Sequence, residues 1–180
     1  MLVELSANLS PRKISRSRVG RCDSIVRVHV NAPPAAVWKA LTTARTLKQF
    51  FFGSDISTDW RVGSPIRFRG AWKGKPYEDK GNIQAFDVGK RLAFTHWSPL
   101  SGMEDKPENY HIVTFDLRPT KGGTEVLLTQ TNQNDAEPLT PENRQEYAKN
   151  WTMVLDGLKK AVEGSLPPSS AAASEQQSRT

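Results

Sequence analysis

The chain has 180 residues, with 25 Lys+Arg, 19 Asp+Glu and a formal charge of +6, a length that favours one domain with tails over two domains. The charge suggests nucleic acid only until it is located: Arg12, Lys13, Arg16, Arg18 and Arg21 against Glu4 put +4 in the first 22 residues, so no folded basic face and no nucleic-acid partner are expected. Cys22 is the single cysteine, which excludes an intrachain disulfide, and no apolar run reaches the ~18 residues of a membrane span, so a cytoplasmic protein is expected.

Residues 1–22 are Ser/Arg-rich and read as a disordered basic extension. From Ser24 to Asn31, Val26, Val28 and Val30 alternate with Arg27, His29 and Asn31, the pattern of a half-buried strand. Ala32-Pro33-Pro34 ends it. Val37, Trp38 and Leu41 then fall at helical spacing, and a second short helix is expected from about Ala44 to Phe50, followed by the apolar cluster Phe50-Phe51-Phe52 against Gly53. Strand-like segments follow at Ser54–Ser57, Pro65–Gly70, Tyr77–Asp87, Arg91–His96, Asn109–Arg118 and Thr124–Thr131. Their separators carry turn residues, as in Lys73-Gly74-Lys75-Pro76 and Thr120-Lys121-Gly122-Gly123. Short connections between alternating strands imply an antiparallel meander. The interval Ser98–Glu108, with Pro99, Gly102 and Pro107, reads as a mobile lid or a long hairpin loop.

The last element is the longest. Thr140 supplies an N-cap, Pro141 the first helical position and Glu142 an acid in the first turn, while Lys159 and Lys160 precede Gly164. Between these ends Tyr147, Trp151, Val154, Leu155, Leu158 and Val162 recur every three or four residues, so one helix face needs a large cover, and a curved sheet is the natural one. Gly157 inside it fits a close backbone approach, room for a ligand or tolerated slack. Residues 165–180 read as a disordered tail, which leaves one domain over 23–164.

This order of elements, together with Asn31-Ala32-Pro33-Pro34-Ala35-Ala36-Val37-Trp38-Lys39-Ala40-Leu41-Thr42, Arg91-Leu92-Ala93-Phe94-Thr95-His96-Trp97, Gly123-Thr124-Glu125-Val126 and Trp151-Thr152-Met153-Val154-Leu155-Asp156-Gly157-Leu158, resembles the SRPBCC (START/pollen-allergen-like) superfamily. The branch it is similar to is that of the C-terminal domain of the activator of heat-shock-protein-90 ATPase. The resemblance implies an α+β helix-grip fold: a curved antiparallel sheet of about seven strands around a long C-terminal helix, two short helices after the first strand, and a cavity between sheet and helix. It leaves function open among carriers, cyclases and co-chaperone domains.

The residues suggest how such a cavity would be lined. The parity that turns Val113, Phe115 and Leu117 inward does the same for His111, that of Val126 and Leu128 carries Gln130 and Asn132, and that of Leu92 and Phe94 carries His96. Polar groups at the end of an apolar face can orient a ligand; they also fit a solvated rim or groups that satisfy one another. Phe51, Phe68, Trp72, Trp151 and Leu155 are the expected walls. His29, His96 and His111 lack metal-ligand spacing, so neither metal nor cofactor is expected. Asp55, Asp59, Glu78 and Asp79 are flanked by turns and are expected on the surface, as are Arg67 and Arg69. The reading favoured is a monomeric or weakly dimeric module that binds a small hydrophobic or aromatic ligand (a lipid, polyketide-like molecule or isoprenoid) and has no catalytic residues. The alternatives are a cyclase- or hydrolase-type cavity enzyme with His111 or His96 as base, and an interaction domain for a chaperone or stress-related protein.

Overall fold

The computed structural model describes residues 24–133 and 140–165. The expected extension over 1–22, Cys22 and all but Ser165 of the expected tail lie outside the described residues. The elements are β1 Ser24–Val30, α1 Pro34–Leu41, α2 Ala44–Phe50, β2 Asp55–Ser57, β3 Pro65–Trp72, β4 Lys75–Asp87, β5 Arg91–His96, β6 His111–Thr120, β7 Gly123–Asn132 and α3 Pro141–Glu163. The strands form one seven-stranded sheet in the order β1-β7-β6-β5-β4-β3-β2, with every pairing antiparallel. This is the α+β helix-grip arrangement. Strands β1 and β2 occupy opposite edges, and α1 and α2 carry the chain between them.

The long helix forms where its punctuation places it. Thr140 Oγ1 accepts the Asn143 N–H at 3.2 Å and Pro141 takes the first helical position, where its missing donor costs nothing. Trp151, Val154, Leu155, Leu158 and Val162 make up its buried stripe. At its far end Glu163 Oε1 accepts the Asn31 N–H at 2.8 Å and the Lys159 ammonium at 2.6 Å. The Asn31 backbone bond leads in holding the Glu163 carboxyl below the usual carboxylate range, so α3 is anchored to the end of β1. Gly157 marks a close approach: a Cβ there would lie 2.6 Å from Phe50 Cβ. The missing side chain lets α3 cross α2, and leaves no room for a ligand.

Two strands run further than their apolar pattern does. The β3–β4 hairpin continues to Trp72 and Lys75 and turns through Lys73 and Gly74, both at positive φ (49° and 76°). Trp72 has inward parity, but the hairpin tip extends past the paired part of β5, so nothing covers the ring. It is 58% exposed, with Lys73 Nζ 6.0 Å from its centroid. Trp72 is therefore not a cavity wall. Phe115 and Leu155 are corrected in the opposite direction: each is 1% exposed, inside the packed core, and they back the cavity without lining it. Arg67 and Arg69 point outward as expected, both onto Glu78, at 2.9 and 2.6 Å.

Candidate functional site

Along each inward-facing row the apolar residues give way to polar ones at the same end of the sheet, because the register aligns them: His96 pairs with His111, and His111 with Asn132. The α3 stripe opens at that end too, passing from Leu155 through Trp151 to Tyr147. The result is a cavity of about 750 Å³, bounded by Phe51, Phe68, His96, His111, Gln130, Asn132, Trp151 and Tyr147, with Ser54, Tyr77 and Asp79 from the β2–β4 side.

Its apolar wall is an aromatic cluster. Phe51 stacks on Phe68 at 5.3 Å and meets the edge of Trp151 at 5.8 Å, geometries that add to plain area burial. Phe51 reaches this wall because the chain turns sharply after α2, where Phe52 takes φ 51° and Gly53 φ 72°. Phe52 is left 58% exposed at the rim.

The polar side chains are paired with one another. The Trp151 indole N–H donates to Gln130 Oε1. Asn132 Oδ1 lies 2.9 Å from His111 Nδ1, and His111 Nε2 lies 3.3 Å from the Tyr147 hydroxyl. Burial, the largest influence on both rings, lowers the His111 pKa and raises that of Tyr147, so both are neutral near pH 7. Ser54 Oγ and the Tyr77 hydroxyl share a hydrogen bond of 3.0 Å. On the adjoining wall His96 Nε2 lies 3.1 Å from Asp79 Oδ2, and the two side chains are 22% and 14% exposed.

Asp79 is the main departure from the surface position expected for it. Its row on β4 is Asp79-Gly81-Ile83, and Gly81 and Ile83 are buried. A Cβ on Gly81 would sit 1.6 Å from the Thr95 carbonyl oxygen, so only glycine lets β4 approach β5 this closely beside the His96 end. Asp79 Oδ1 is buried with no hydrogen-bond partner among the described residues, a condition that ordinarily costs about 1–3 kcal/mol. The Asp79-Gly81-Ile83 alternation is the signal that would have found it. Tyr147 was legible as part of the helix face, though its hydroxyl's role was not.

The mouth is bordered by Ser98–Tyr110, which contains short 3₁₀ turns at Pro99–Ser101 and Pro107–Asn109. This segment is pinned. Asp105 pairs with Lys80 and accepts the Tyr110 hydroxyl proton at 2.7 Å, while Trp97 stacks on Tyr110 at 6.4 Å. Burial and then Asp105 push the Tyr110 pKa up to about 12.

Seven of the ten residues assigned to the site from sequence border the cavity: Phe51, Phe68, His96, His111, Gln130, Asn132 and Trp151. Trp72, Phe115 and Leu155 do not. Among the described residues no group of three or more His, Cys, Asp and Glu is placed to hold a metal ion, and no helix is long and apolar enough to cross a membrane.

A curved sheet gripping a long helix over a cavity with one polar end defines a helix-grip protein with the architecture of a small-molecule binder. The chain belongs, within the SRPBCC superfamily, to the family described as Activator of Hsp90 ATPase homolog 1-like protein, whose profile matches residues 31–163. It is similar to the solution structure of ChR145 from Cytophaga hutchinsonii, with 42% identity over 79% of this chain and 94% of that one and a TM-score of 0.66. The fold is shared with the Aha1 dimer from Colwellia psychrerythraea (24% identity, 78% and 96% covered, TM-score 0.59). It is shared as well with CalU16 from Micromonospora echinospora (20% identity, 87% and 82% covered, TM-score 0.57). No curated protein matches the sequence.

Proposed function

We propose that the protein binds a small molecule with an aromatic or otherwise apolar body and polar substituents at one end, held between the sheet and α3. The observation that carries this reading is the cavity of about 750 Å³ lined both by the rings of Phe51, Phe68 and Trp151 and by the polar groups of His96, His111, Gln130 and Asn132. Ring-on-ring burial supplies affinity at about 25 cal/mol per Å² of apolar area removed from water. The polar side chains, already fixed by mutual hydrogen bonds, supply orientation at little further ordering cost. On this reading the protein works as a monomer or weak dimer in the cytoplasm, and lipids, isoprenoids and aromatic polyketides are the ligand classes to test.

The test is a thermal-shift screen of those three classes, followed by titration of the strongest hit against Trp151→Phe and Phe68→Ala. Saturable binding that weakens at least about tenfold in Phe68→Ala supports the reading. No shift from any class at near-saturating concentration overturns it.

The family description and the Aha1 relative favour a second reading, a chaperone-directed interaction domain. Capture of an Hsp90-type ATPase by the purified chain, with a rise in its turnover, would support it; neither effect at high micromolar concentration would dismiss it.

A further inference from the structure

Of the chain's 3 histidines, two face the cavity, and they differ in what their nitrogens are left to do. His111 has both engaged. An amide oxygen only accepts, so Nδ1 carries the proton toward Asn132 Oδ1 at 2.9 Å, and Nε2 accepts from the Tyr147 hydroxyl at 3.3 Å. His96 is held at one nitrogen. A carboxylate also only accepts, so the contact of 3.1 Å between His96 Nε2 and Asp79 Oδ2 places the proton on Nε2. Nδ1 keeps its lone pair and has no protein partner among the described residues. The Phe68 ring, 5.4 Å away at 77°, packs against the imidazole and holds its plane.

Asp79 has little other use. Its Oδ1 is buried and unpartnered among the described residues, and its side chain's one hydrogen-bond partner among them is His96. Gly81, which brings β4 against Thr95, builds the approach that makes this pairing possible. A largely buried carboxylate behind an imidazole that borders the cavity and has its second nitrogen unpaired is an arrangement for moving protons.

We propose that His96 is a general base that abstracts a proton from a carbon acid bound in the cavity, with Asp79 as its positioning residue. The substrate class is a molecule whose C–H bond is acidified by a neighbouring carbonyl. This rests on the ligand-binding reading of the same cavity. In the step, the His96 Nδ1 lone pair takes the proton. The C–H electron pair becomes the new carbon–carbon π bond, and the carbonyl π pair moves to oxygen, giving an enolate. The imidazolium so formed keeps its Nε2–H on the Asp79 carboxylate, which offsets the new charge. Return of the proton to a different atom of the enolate completes an isomerisation and consumes no co-reactant. Gln130 is the donor on the wall for the enolate oxygen, since its Oε1 faces the Trp151 indole and its N–H groups remain.

The test uses a nitrobenzisoxazole as chromogenic probe. Removal of its C–H proton sends that electron pair into a nitrile and breaks the N–O bond, releasing a coloured cyanonitrophenolate, so a base in an apolar cavity suffices. Occupancy is read first, from saturable quenching of tryptophan fluorescence. The wild type is expected to turn the probe over with saturation kinetics, faster than free imidazole at equal concentration. His96→Gln should lower kcat at least about 100-fold with KM little changed, and the exposed-site control His29→Gln should change neither. Asp79→Asn should lower kcat at least about tenfold with KM little changed, because the imidazolium loses the anion that stabilises it as it forms. Asp79→Glu should recover part of the rate.

Saturable occupancy without turnover above imidazole overturns the general base and leaves ligand binding standing. Failure of the probe to occupy the cavity at all counts against both readings. Turnover that survives His96→Gln overturns the assignment to His96. Should that variant not fold, His96→Asn makes the same comparison, and an unchanged kcat in Asp79→Asn is sufficient to reject the pair.

Discussion

The two ends of the space between sheet and α3 are built from the same strands and the same helix, yet they follow opposite rules. At the packed end Val126, Leu128, Val154, Leu155 and Leu158 are all at most 1% exposed, and Phe115 fills the layer between Phe94 and Trp151, with both ring centroids 6.4 Å away. Further along the strands the inward positions become Gln130, level with Val113, and then His96, His111 and Asn132 in one row, and the aromatic rings form a wall with space in front of it. The packed end obtains stability from density, which leaves nothing for a ligand to do. The open end gives up that packing and satisfies its polar groups in pairs, and a guest can replace the missing contacts.

Truncation should expose this difference. Leu158→Ala, at the dense end, should cost the most, about 4 kcal/mol in urea unfolding, since the surroundings cannot collapse into the void. Trp151→Ala removes a larger side chain but one with cavity on one side, and should cost about 3 kcal/mol, part of it from Gln130 left without its indole partner. A loss in Trp151→Ala clearly above that of Leu158→Ala would show that the open end is packed core after all. Tyr147→Phe deletes one neutral hydrogen bond, to His111, and should cost about 1 kcal/mol.

The dense end was the more legible one. Alternation in β1, β6 and β7 and the three-four spacing of α3 are signals of burial, and burial decides the position of Val126 or Leu158 without regard to other elements. The open end depends on how far each element extends past its neighbours. Trp72 and Phe68 share a parity, and only the absence of a partner strand beside the hairpin tip makes one exposed and the other a wall. Phe115 and Leu155 have the pattern of cavity residues, and only the depth of the packed layer takes them out of reach. Asp79 was misplaced because a carboxylate near a turn is usually solvated, whereas here Gly81 draws its strand against β5 and carries Asp79 in toward His96.

The smallest effect separates the ends by pH. Desolvation, aided by nearby His96 and partly opposed by the Asn132 hydrogen bond, lowers the His111 pKa in the folded protein from 6.5. Between the lowered folded value and the unfolded 6.5, the unfolded chain binds a proton that the folded chain refuses, so stability rises with pH across that window. Acidification through it should therefore shift the urea midpoint downward, with the His111 contribution levelling off once the folded state protonates too. The dense end has no titratable side chain in its buried layer, and Leu158→Ala should lower the whole pH profile without changing its slope there. His111→Gln should flatten the slope in that window while the carboxylate-linked loss at lower pH persists, because Glu163 and Asp105 both have folded pKa values below their ordinary ones. Urea melts of wild type and both variants across the window decide it: an unchanged slope in His111→Gln would mean that the ring is free to protonate in the folded state, and that the open end is more hydrated than its paired hydrogen bonds imply.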